Sequence, residues 1–378
     1  MEFETLCLHA DNNIKDEWGT LTTPICQSAT FVHKGVDVPS DYSYSRLSNP
    51  TRRHVERLVA ALEGGADAYA FSSGMTAITV SMMLLKPGDH VIANDDLYGG
   101  ALRLFRNVNA LNGLEFDFLD TSDIGAVKAK IRPNTRLIYI ETPSNPLMQV
   151  TDIRKAAEVA HANNAWLFVD NTFLTPYFQK PLELGADIVI HSGTKYLGGH
   201  NDTLAGFVVA STEELAKKVL YYSKTIGGQL APFDSFLIER GIKTLPIRMD
   251  RINENAGKIA AYLKNEKKVR KVYYVGLPEA KGYDIMKEQS KGFGGMISIE
   301  VESKELAEKI LSDVKIFQYA ESLGGVDSLI TYPMLQTHAD VPLEERNRRG
   351  INDRFLRISV GIENAKDLIE DLKQAING

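Results

Sequence analysis

The chain has 378 residues, which is enough for a large core and for two domains. Its 44% hydrophobic and 24% charged residues are typical of a globular protein. A net charge of -6, with no basic stripe or arm, argues against nucleic-acid binding. No apolar window approaches the roughly 18 residues of a membrane span, and residues 1–4 show no signal-peptide pattern. Composition therefore predicts a cytoplasmic protein that binds neither nucleic acid nor membrane.

Residues 1–48 carry little regular patterning but contain aromatic side chains, so we expect this segment to pack on a large surface such as a neighbouring subunit. Asn49 and Pro50 then suit the cap and first turn of a helix. Apolar residues follow at helical spacing, and Gly64-Gly65 ends the pattern. Here the first domain is predicted to begin, spanning 49–240.

Short apolar runs alternate with amphipathic stretches along this domain, which indicates a mostly parallel sheet covered on both faces. Ligands of such sheets bind at the carboxyl ends of the strands. Glu141, Asp170 and His191 fall at these ends, and Lys195 lies just beyond. The predicted strands are Val91–Asn94, Phe116–Leu119, Leu137–Glu141, Trp166–Asp170, Ile188–His191 and Gly206–Ala210.

After about Gly241 the pattern changes to that of a smaller α+β domain, predicted to span 241–378. It begins with a long amphipathic helix, Pro246–Asn265, and ends with another at about 364–376. Between them lie a helix at about 304–313 and the predicted strands Val272–Val275, Met296–Val301 and Leu356–Val360.

Lys195 directly follows a buried strand, inside the Ser/Thr/Gly-rich segment His191–His200. A partly desolvated amine loses its proton more easily and can attack an aldehyde, as Schiff-base chemistry requires. The hydroxyls and backbone amides beside it suit the phosphate of pyridoxal phosphate (PLP). Asp170 could pair with the protonated pyridine nitrogen of that cofactor, or could only cap the next turn.

Other segments offer weaker signals of the same kind. Ser73-Gly74-Met75 opens a helix whose N-terminus could bind an anion or could simply be capped. Tyr98 is a candidate to stack on a cofactor and relay protons, or a structural tyrosine. Arg357, flanked by strand residues, could hold a substrate carboxylate, with Arg354 as the more exposed competitor.

Histidine and cysteine give no metal signal, since His191, His200 and His338 match no common ligand spacing. Cys7 and Cys26 form neither a Cys-x-x-Cys pair nor a disulfide framework. We therefore expect no metal and reduced thiols.

Taken together, segments along the whole chain resemble the Cys/Met-metabolism family of PLP enzymes, which includes cystathionine γ-synthase and the cystathionine lyases. The resemblance implies an aspartate-aminotransferase-like fold (PLP fold type I). It rests on Tyr44-Ser45-Arg46, Asn49-Pro50-Thr51, Ser72-Ser73-Gly74-Met75, Asp95-Asp96-Leu97-Tyr98-Gly99-Gly100, Glu141-Thr142-Pro143-Ser144-Asn145-Pro146, Asp170-Asn171-Thr172-Phe173, the Lys195 segment, Glu321-Ser322-Leu323-Gly324-Gly325 and Arg357-Ile358-Ser359-Val360-Gly361.

The resemblance also implies roles for matching residues. Lys195 forms the Schiff base and shuttles protons, Asp170 pairs with the pyridine nitrogen, and Tyr98 stacks on the ring. The implied phosphate ligands are Gly74, Met75, Ser192 and Thr194, with Tyr44 and Arg46 from a neighbouring subunit. The implied substrate ligands are Asn145, Glu321, Ser322 and Arg357. A site shared in this way implies a homodimer, and the family usually forms a dimer of dimers.

Within this family, the local motifs are most similar to bacterial cystathionine γ-synthases. The chain has Gly100 where methionine γ-lyases typically carry Cys, and Glu321 where β-lyases tend to carry an uncharged residue. The expected reaction is γ-replacement, in which O-acetyl- or O-succinylhomoserine and cysteine give cystathionine. Cystathionine γ- or β-lyase is the alternative, capture of sulfide to make homocysteine is a further one, and a non-catalytic regulatory protein is a remote one. The motifs Leu197–Asp202, Pro232–Ser235, Thr331–Pro333 and Gln336–Asp340 carry this similarity.

Overall fold

The computed structural model describes residues 1–10, 19–336, 344, 346 and 349–378. Its larger sheet has seven strands in the order β1-β7-β6-β5-β4-β2-β3. The central strands are parallel, whereas β7 runs antiparallel to both β6 and β1. The strands are β1 (Asp67–Phe71), β2 (His90–Asn94), β3 (Glu115–Leu119), β4 (Thr135–Glu141), β5 (Trp166–Asp170), β6 (Ile188–Ser192) and β7 (Gly206–Ala210).

Helices cover both faces of this sheet. The predicted capping of helix α2 (Pro50–Glu63) is confirmed, because the Asn49 side chain accepts hydrogen bonds from the amides of Thr51 and Arg52 at 3.0 and 3.4 Å. Gly64 ends the helix with φ 75°. The α-helices are α1 (Phe3–His9), α2 (Pro50–Glu63), α3 (Gly74–Met82), α4 (Gly99–Leu104), α5 (Ile124–Ala129), α6 (Ile153–Ala162), α7 (Thr175–Phe178), α8 (Glu213–Ile226) and α9 (Pro232–Ile242).

A second sheet of five strands, in the order β10-β11-β12-β9-β8, forms the smaller unit. Its buried face is built from fully buried aliphatic residues such as Ile297, Ile299 and Ile358. The elements are α10 (Leu245–Lys264), β8 (Val269–Tyr273), α11 (Tyr283–Gln289), β9 (Met296–Val301), α12 (Lys304–Asp313), β10 (Gln318–Tyr319), β11 (Leu329–Thr331), β12 (Phe355–Ser359) and α13 (Ala365–Asn377).

The predicted fold class is confirmed: a mostly parallel sheet accompanies a smaller α+β unit. The prediction missed α1, and it missed β1, whose two alanines, Ala68 and Ala70, weaken the strand pattern. It also placed β8 three residues late, because the charged Arg270 and Lys271 hide the apolar pattern. The domain boundaries at residues 48 and 240 stay predictions.

The connection from β6 to β7 decides where the reactive lysine lies. Parallel strands need a long crossover, usually a helix. Residues 193–205 contain turns instead, so β7 returns antiparallel beside β6. Lys195 therefore stays at the carboxyl edge of the sheet. In the described part of the chain, no helix has the length and apolar content to cross a membrane; the cytoplasmic location stays a prediction.

Candidate active site

A cavity of about 320 Å³ opens at the carboxyl edge of the large sheet. Glu141, Asp170 and Ser192 end the three adjacent strands β4, β5 and β6, which brings them to its floor. Residues of the small unit close its other side. The predicted site residues that line it are Gly74, Met75, Tyr98, Asn145, Asp170, Ser192, Thr194, Lys195, Glu321, Ser322 and Arg357.

Lys195 is largely withdrawn from solvent and points into this cavity. Burial, together with the positive charge of Arg357, lowers the pKa of its ammonium group to about 8, and Glu321 partly opposes this shift. Its Nζ donates a hydrogen bond to Ser322 Oγ at 2.8 Å. A neutral amine is therefore accessible near neutral pH, so Lys195 can act as a nucleophile or a base.

Two carboxyl groups lie side by side on the floor. Glu141 and Asp170 are register partners at the ends of β4 and β5. Burial raises the pKa of both, and the charge of Asp170 raises that of Glu141 further. The Asp170 carboxylate accepts a hydrogen bond from the Thr172 amide at 3.0 Å, which opposes the rise. A cation placed against Asp170 would offset the desolvation and hold it ionised.

Arg357 enters from β12 of the small unit and is buried. Its guanidinium donates to Asn145 Oδ1 and to the carbonyl of Ser322, each at 3.0 Å. Its Nε is buried and finds no hydrogen-bond acceptor among the described residues. Arg354, the competing candidate, instead pairs with Glu300 at 2.5 Å and does not line the cavity. The arginine directed at the site is thus Arg357, fixed in a geometry that suits a carboxylate.

The N-terminus of α3 forms another wall. Ser73 caps the helix by accepting from the Thr76 amide at 3.1 Å, which leaves earlier amides of the first turn without helical partners. A Cβ on Gly74 would come within 2.9 Å of Ser192 Cβ, so only glycine allows this approach of helix and β6. This positive helix end, with the Ser192 hydroxyl beside it, suits an anion.

Tyr98 immediately precedes α4, and its amide donates to Glu141 Oε2 at 3.0 Å. The residue is 41% exposed and lines the cavity. Tyr44 and Arg46, in contrast, do not line the cavity of their own chain. The Arg46 guanidinium carbon lies 5.5 Å from the centre of the Tyr44 ring. Their assignment to a neighbouring subunit's site stays a prediction.

The structure adds residues that the sequence reasoning did not assign to the site. The sequence analysis places Glu141 at a strand end and in a family segment but assigns it no role, although a carboxylate at the end of a buried strand is a usable signal. Thr172 accepts the Ser192 amide at 2.8 Å and thereby couples the loops after β5 and β6. Phe173, Leu204 and Leu323 supply apolar lining. Phe173 and Leu323 lie in segments that carry the family resemblance, but the sequence analysis assigns them no role.

Two of the three histidines considered as metal ligands lie among the described residues, and they have separate surroundings. His191 is buried, and its Nε2 lies 2.6 Å from Glu63 Oε1. His200 Nδ1 lies 2.7 Å from the carbonyl of Gly198. His338 and the motif residues Thr337–Asp340 lie outside the described residues.

The cavity matches the groups that PLP requires. The cofactor has an aldehyde, a ring nitrogen that is cationic when protonated, and a phosphate. The cavity offers an amine of lowered pKa on Lys195, a buried carboxylate on Asp170, and a close-packed helix N-terminus at Gly74. The residues present therefore fit this cofactor, because the cavity offers one suitable protein group for each of its functional groups.

Comparison with known proteins also indicates a PLP-dependent enzyme. The family model described as "Cys/Met metabolism PLP-dependent enzyme" matches residues 4–377. A cystathionine gamma-lyase of Bacillus subtilis (strain 168) is 48% identical, covering 100% of this chain and 99% of the relative. A cystathionine beta-lyase of Lactococcus lactis subsp. cremoris (strain MG1363) is 45% identical, covering 99% and 98%.

A solved structure agrees over the whole fold. The cystathionine gamma synthase of Xanthomonas oryzae pv. oryzae, in complex with aminoacrylate and cysteine, superposes with a TM-score of 0.96 at 38% identity. The match covers 100% of this chain and 98% of that chain. The cofactor is PLP, and the chain belongs to the Cys/Met metabolism PLP-dependent enzyme family.

Proposed function

We propose that this enzyme makes cystathionine by γ-replacement, in which O-acetylhomoserine and cysteine give cystathionine and acetate. The Cγ–O bond of the ester breaks and a Cγ–S bond forms. The leaving acetate carries away the electron pair of the Cγ–O bond, and the thiol proton is released. The observation that carries the choice of cystathionine and of the O-acetyl ester is the charge around the outer part of the cavity.

A second cavity of about 750 Å³ adjoins the first and shares Thr194, Leu204, Glu321 and Ser322 with it. Glu321, Asp202 and Asp234 line it, and none of its described lining residues is Lys or Arg. An acidic space of this kind favours an ammonium group and disfavours a carboxylate. It therefore favours cysteine, which carries an ammonium group, over sulfide as the sulfur nucleophile. It also favours an O-acetyl ester over an O-succinyl ester, which carries an additional carboxylate.

At the inner end, Arg357 and Asn145 are positioned to bind the α-carboxylate of the amino-acid substrate. Their hydrogen bond at 3.0 Å holds the guanidinium in place before substrate arrives. Cystathionine has an α-amino-acid group at each end. The carboxylate of one end would meet the Arg357 clamp, and the ammonium of the other end would meet the acidic groups. This complementarity supports cystathionine as the larger ligand of the site.

Lys195 is proposed to carry the protons. γ-Chemistry requires one proton to leave Cα and a second to leave Cβ before the γ-substituent departs. An amine with a pKa of about 8 can alternate between accepting and returning a proton near neutral pH. The hydrogen bond to Ser322 Oγ at 2.8 Å keeps this amine beside the carboxylate clamp.

When bound, PLP supplies an electron sink that stabilises the substrate carbanion. We propose that Asp170 holds the protonated ring nitrogen and that Tyr98 packs on the ring. The phosphate is assigned to the α3 N-terminus and the loop after β6, through Gly74, Met75, Ser192 and Thr194. The hydroxyl of Thr194 donates to the Ala205 carbonyl at 3.2 Å and accepts from the Ala205 amide at 3.0 Å. To donate to the phosphate, this hydroxyl would release the Ala205 carbonyl.

We further propose that the active enzyme is a homo-oligomer in which a second copy supplies Tyr44 and Arg46. The segment before α2 exposes apolar side chains that water would not favour: Leu21, Val32 and Val36 are 99%, 93% and 101% exposed. Contact with another copy would cover them. A dimer of dimers remains the proposed assembly.

γ-Elimination from cystathionine is the second candidate, because a relative 48% identical is named a cystathionine gamma-lyase. The acidic outer cavity suits cystathionine as a substrate as well as a product. β-Elimination has the support of a relative 45% identical named a cystathionine beta-lyase.

Product analysis by mass spectrometry on the PLP-loaded enzyme separates these reactions. One mixture contains O-acetylhomoserine and cysteine, a second contains the ester and sulfide, and a third contains cystathionine alone. Cystathionine formed in the first, with slow turnover in the others, supports γ-replacement. Faster breakdown in the third mixture overturns it, with 2-oxobutyrate indicating γ-cleavage and pyruvate β-cleavage.

The variant Glu321→Gln tests the acidic outer cavity. It should raise the KM for cysteine at least about fivefold, since an amide binds an ammonium group weakly. Glu183→Gln removes one charge from a solvent-facing site and is the matched control, because the Glu183 side chain is 65% exposed and outside the cavity. An equal KM for Glu321→Gln and the control would contradict the role of Glu321.

A further inference from the structure

We propose that the enzyme carries a second ligand site, for small anions bearing two or more phosphate charges, in a cavity away from the catalytic centre. This cavity of about 620 Å³ lies between β8 of the small unit and the loop Leu147–Gln149 of the large one. None of its lining residues lines the active-site cavity. Its size is ordinary for a small-molecule pocket.

The charge of the lining distinguishes this cavity. Its cationic residues outnumber its acidic ones by five to one: Lys264, Arg270, Lys271, Lys281 and Arg349 face Glu279. The whole chain, in contrast, has a net charge of -6. Five cations around one concave surface repel one another, and a bound anion would relieve that repulsion.

Local pairing leaves part of this charge uncompensated. Lys264 pairs with Glu279 and Lys281 pairs with Asp120, which occupies two of the cations. Arg270 has no ion pair with any described residue. Lys271 Nζ lies 4.2 Å from the centre of the Tyr273 ring and has no carboxylate partner in the described part of the chain. These two cations are therefore available to a ligand.

Strand β8, which carries Arg270 and Lys271, has an irregular pairing at these residues. The pairing of β8 with β9 shifts register between Val269 and Lys271, so Arg270 has no register partner on β9. In a regular strand, neighbouring side chains point to opposite faces. The alternation is interrupted at this irregularity, and both Arg270 and Lys271 line the cavity. β8 is also the edge strand of its sheet, so its outer backbone edge faces no other described strand.

Part of the cavity lining is apolar, with Leu147, Met148 and Leu277 among its residues, and we call this part the floor. Phosphate oxygens would reach the Arg270 guanidinium in a bidentate manner, with the Lys271 ammonium as a second charge. A flat organic portion attached to the phosphates would lie on the floor. The shared ligand chemistry is thus a diphosphate group, either free as inorganic pyrophosphate or carried by a nucleoside diphosphate.

Isothermal titration calorimetry on the PLP-loaded enzyme tests this site with two probes, pyrophosphate and ADP. We expect one site per chain with a Kd below about 1 mM at low salt, weakening as salt is added. Tighter binding of ADP than of pyrophosphate assigns the floor to the nucleoside, and equal binding assigns the site to the diphosphate alone. No saturable binding of either probe overturns the proposal.

The double variant Arg270→Gln with Lys271→Gln should weaken binding at least tenfold, since it removes the two unpaired cations. It should leave the basal kcat/KM unchanged, because neither residue touches the active site. Lys217→Gln with Lys304→Gln is the charge-matched control, at exposed helical positions outside the cavity. Equal weakening in the control would show only a general charge effect and would overturn the site.

Discussion

Gly100→Ala provides a sharp test of the site geometry, because it should separate activity from stability. Gly100 lies in the first turn of α4, two residues after Tyr98. A Cβ at this position would lie 2.5 Å from Tyr98 Cε1 and 3.0 Å from Met75 Sδ. Carbon atoms in contact are about 3.5 Å apart, so the tyrosine ring must move by roughly 1 Å.

The Tyr98 ring has room to move, since the residue is 41% exposed. The fold should therefore tolerate the change, and alanine favours a helix over glycine by up to about 1 kcal/mol. The catalytic geometry should not tolerate the change, because a displacement of about 1 Å near reacting groups costs up to about 100-fold in rate. We expect kcat/KM to fall by about 10- to 100-fold while the free energy of unfolding changes by less than about 1 kcal/mol.

The assay combines steady-state kinetics, urea unfolding of the PLP-loaded enzyme, and visible circular dichroism of the cofactor. Gly257→Ala in α10 is the matched control, because a Cβ there would meet nothing within 4 Å. The control should keep full activity and gain stability. A kcat/KM for Gly100→Ala within twofold of the unmodified enzyme would refute the requirement for the Tyr98 position.

Other perturbations give distinct outcomes. Arg357→Lys should raise the substrate KM at least about tenfold, because an ammonium cannot reproduce the guanidinium fork; an unchanged KM would remove Arg357 from the carboxylate site. Since Lys195 must be neutral to take a proton and its pKa is lowered to about 8, kcat should rise with pH and level off near there. Glu321→Gln removes a charge that raises this pKa, so its rising limb should move to lower pH, and a shift upward would contradict the assignment. Lys195→Ala should retain PLP yet lose turnover by about a thousandfold or more, and near-normal activity would exclude it as the base. Asp170→Asn should release PLP faster on dialysis and slow Cα deprotonation, which an unchanged hydrogen–deuterium exchange rate at Cα would disprove.

The parts of the site that could be predicted from sequence are those encoded by short segments. Lys195 in its Ser/Thr/Gly-rich turn and Asp170 at a strand end were recognised because buried strands are continuous apolar runs. The cap at Asn49 and the long helix α10 followed from local hydrogen bonding and helical spacing. Such features depend on neighbours within a few residues, so one sequence is enough to show them.

The contacts within the site join residues that lie far apart in the sequence. Arg357 meets Asn145 across 212 residues of sequence, and Lys195 meets Ser322 across 127. Glu141 lies beside Asp170 only because β4 and β5 are neighbours in the sheet. The lowered pKa of Lys195 arises from burial between two units, a property that no local segment possesses. The sequence by itself determined which chemical groups are present and on which strand ends they lie. Only the tertiary structure decided which of them face one another, because strand order and packing of the two units set those distances.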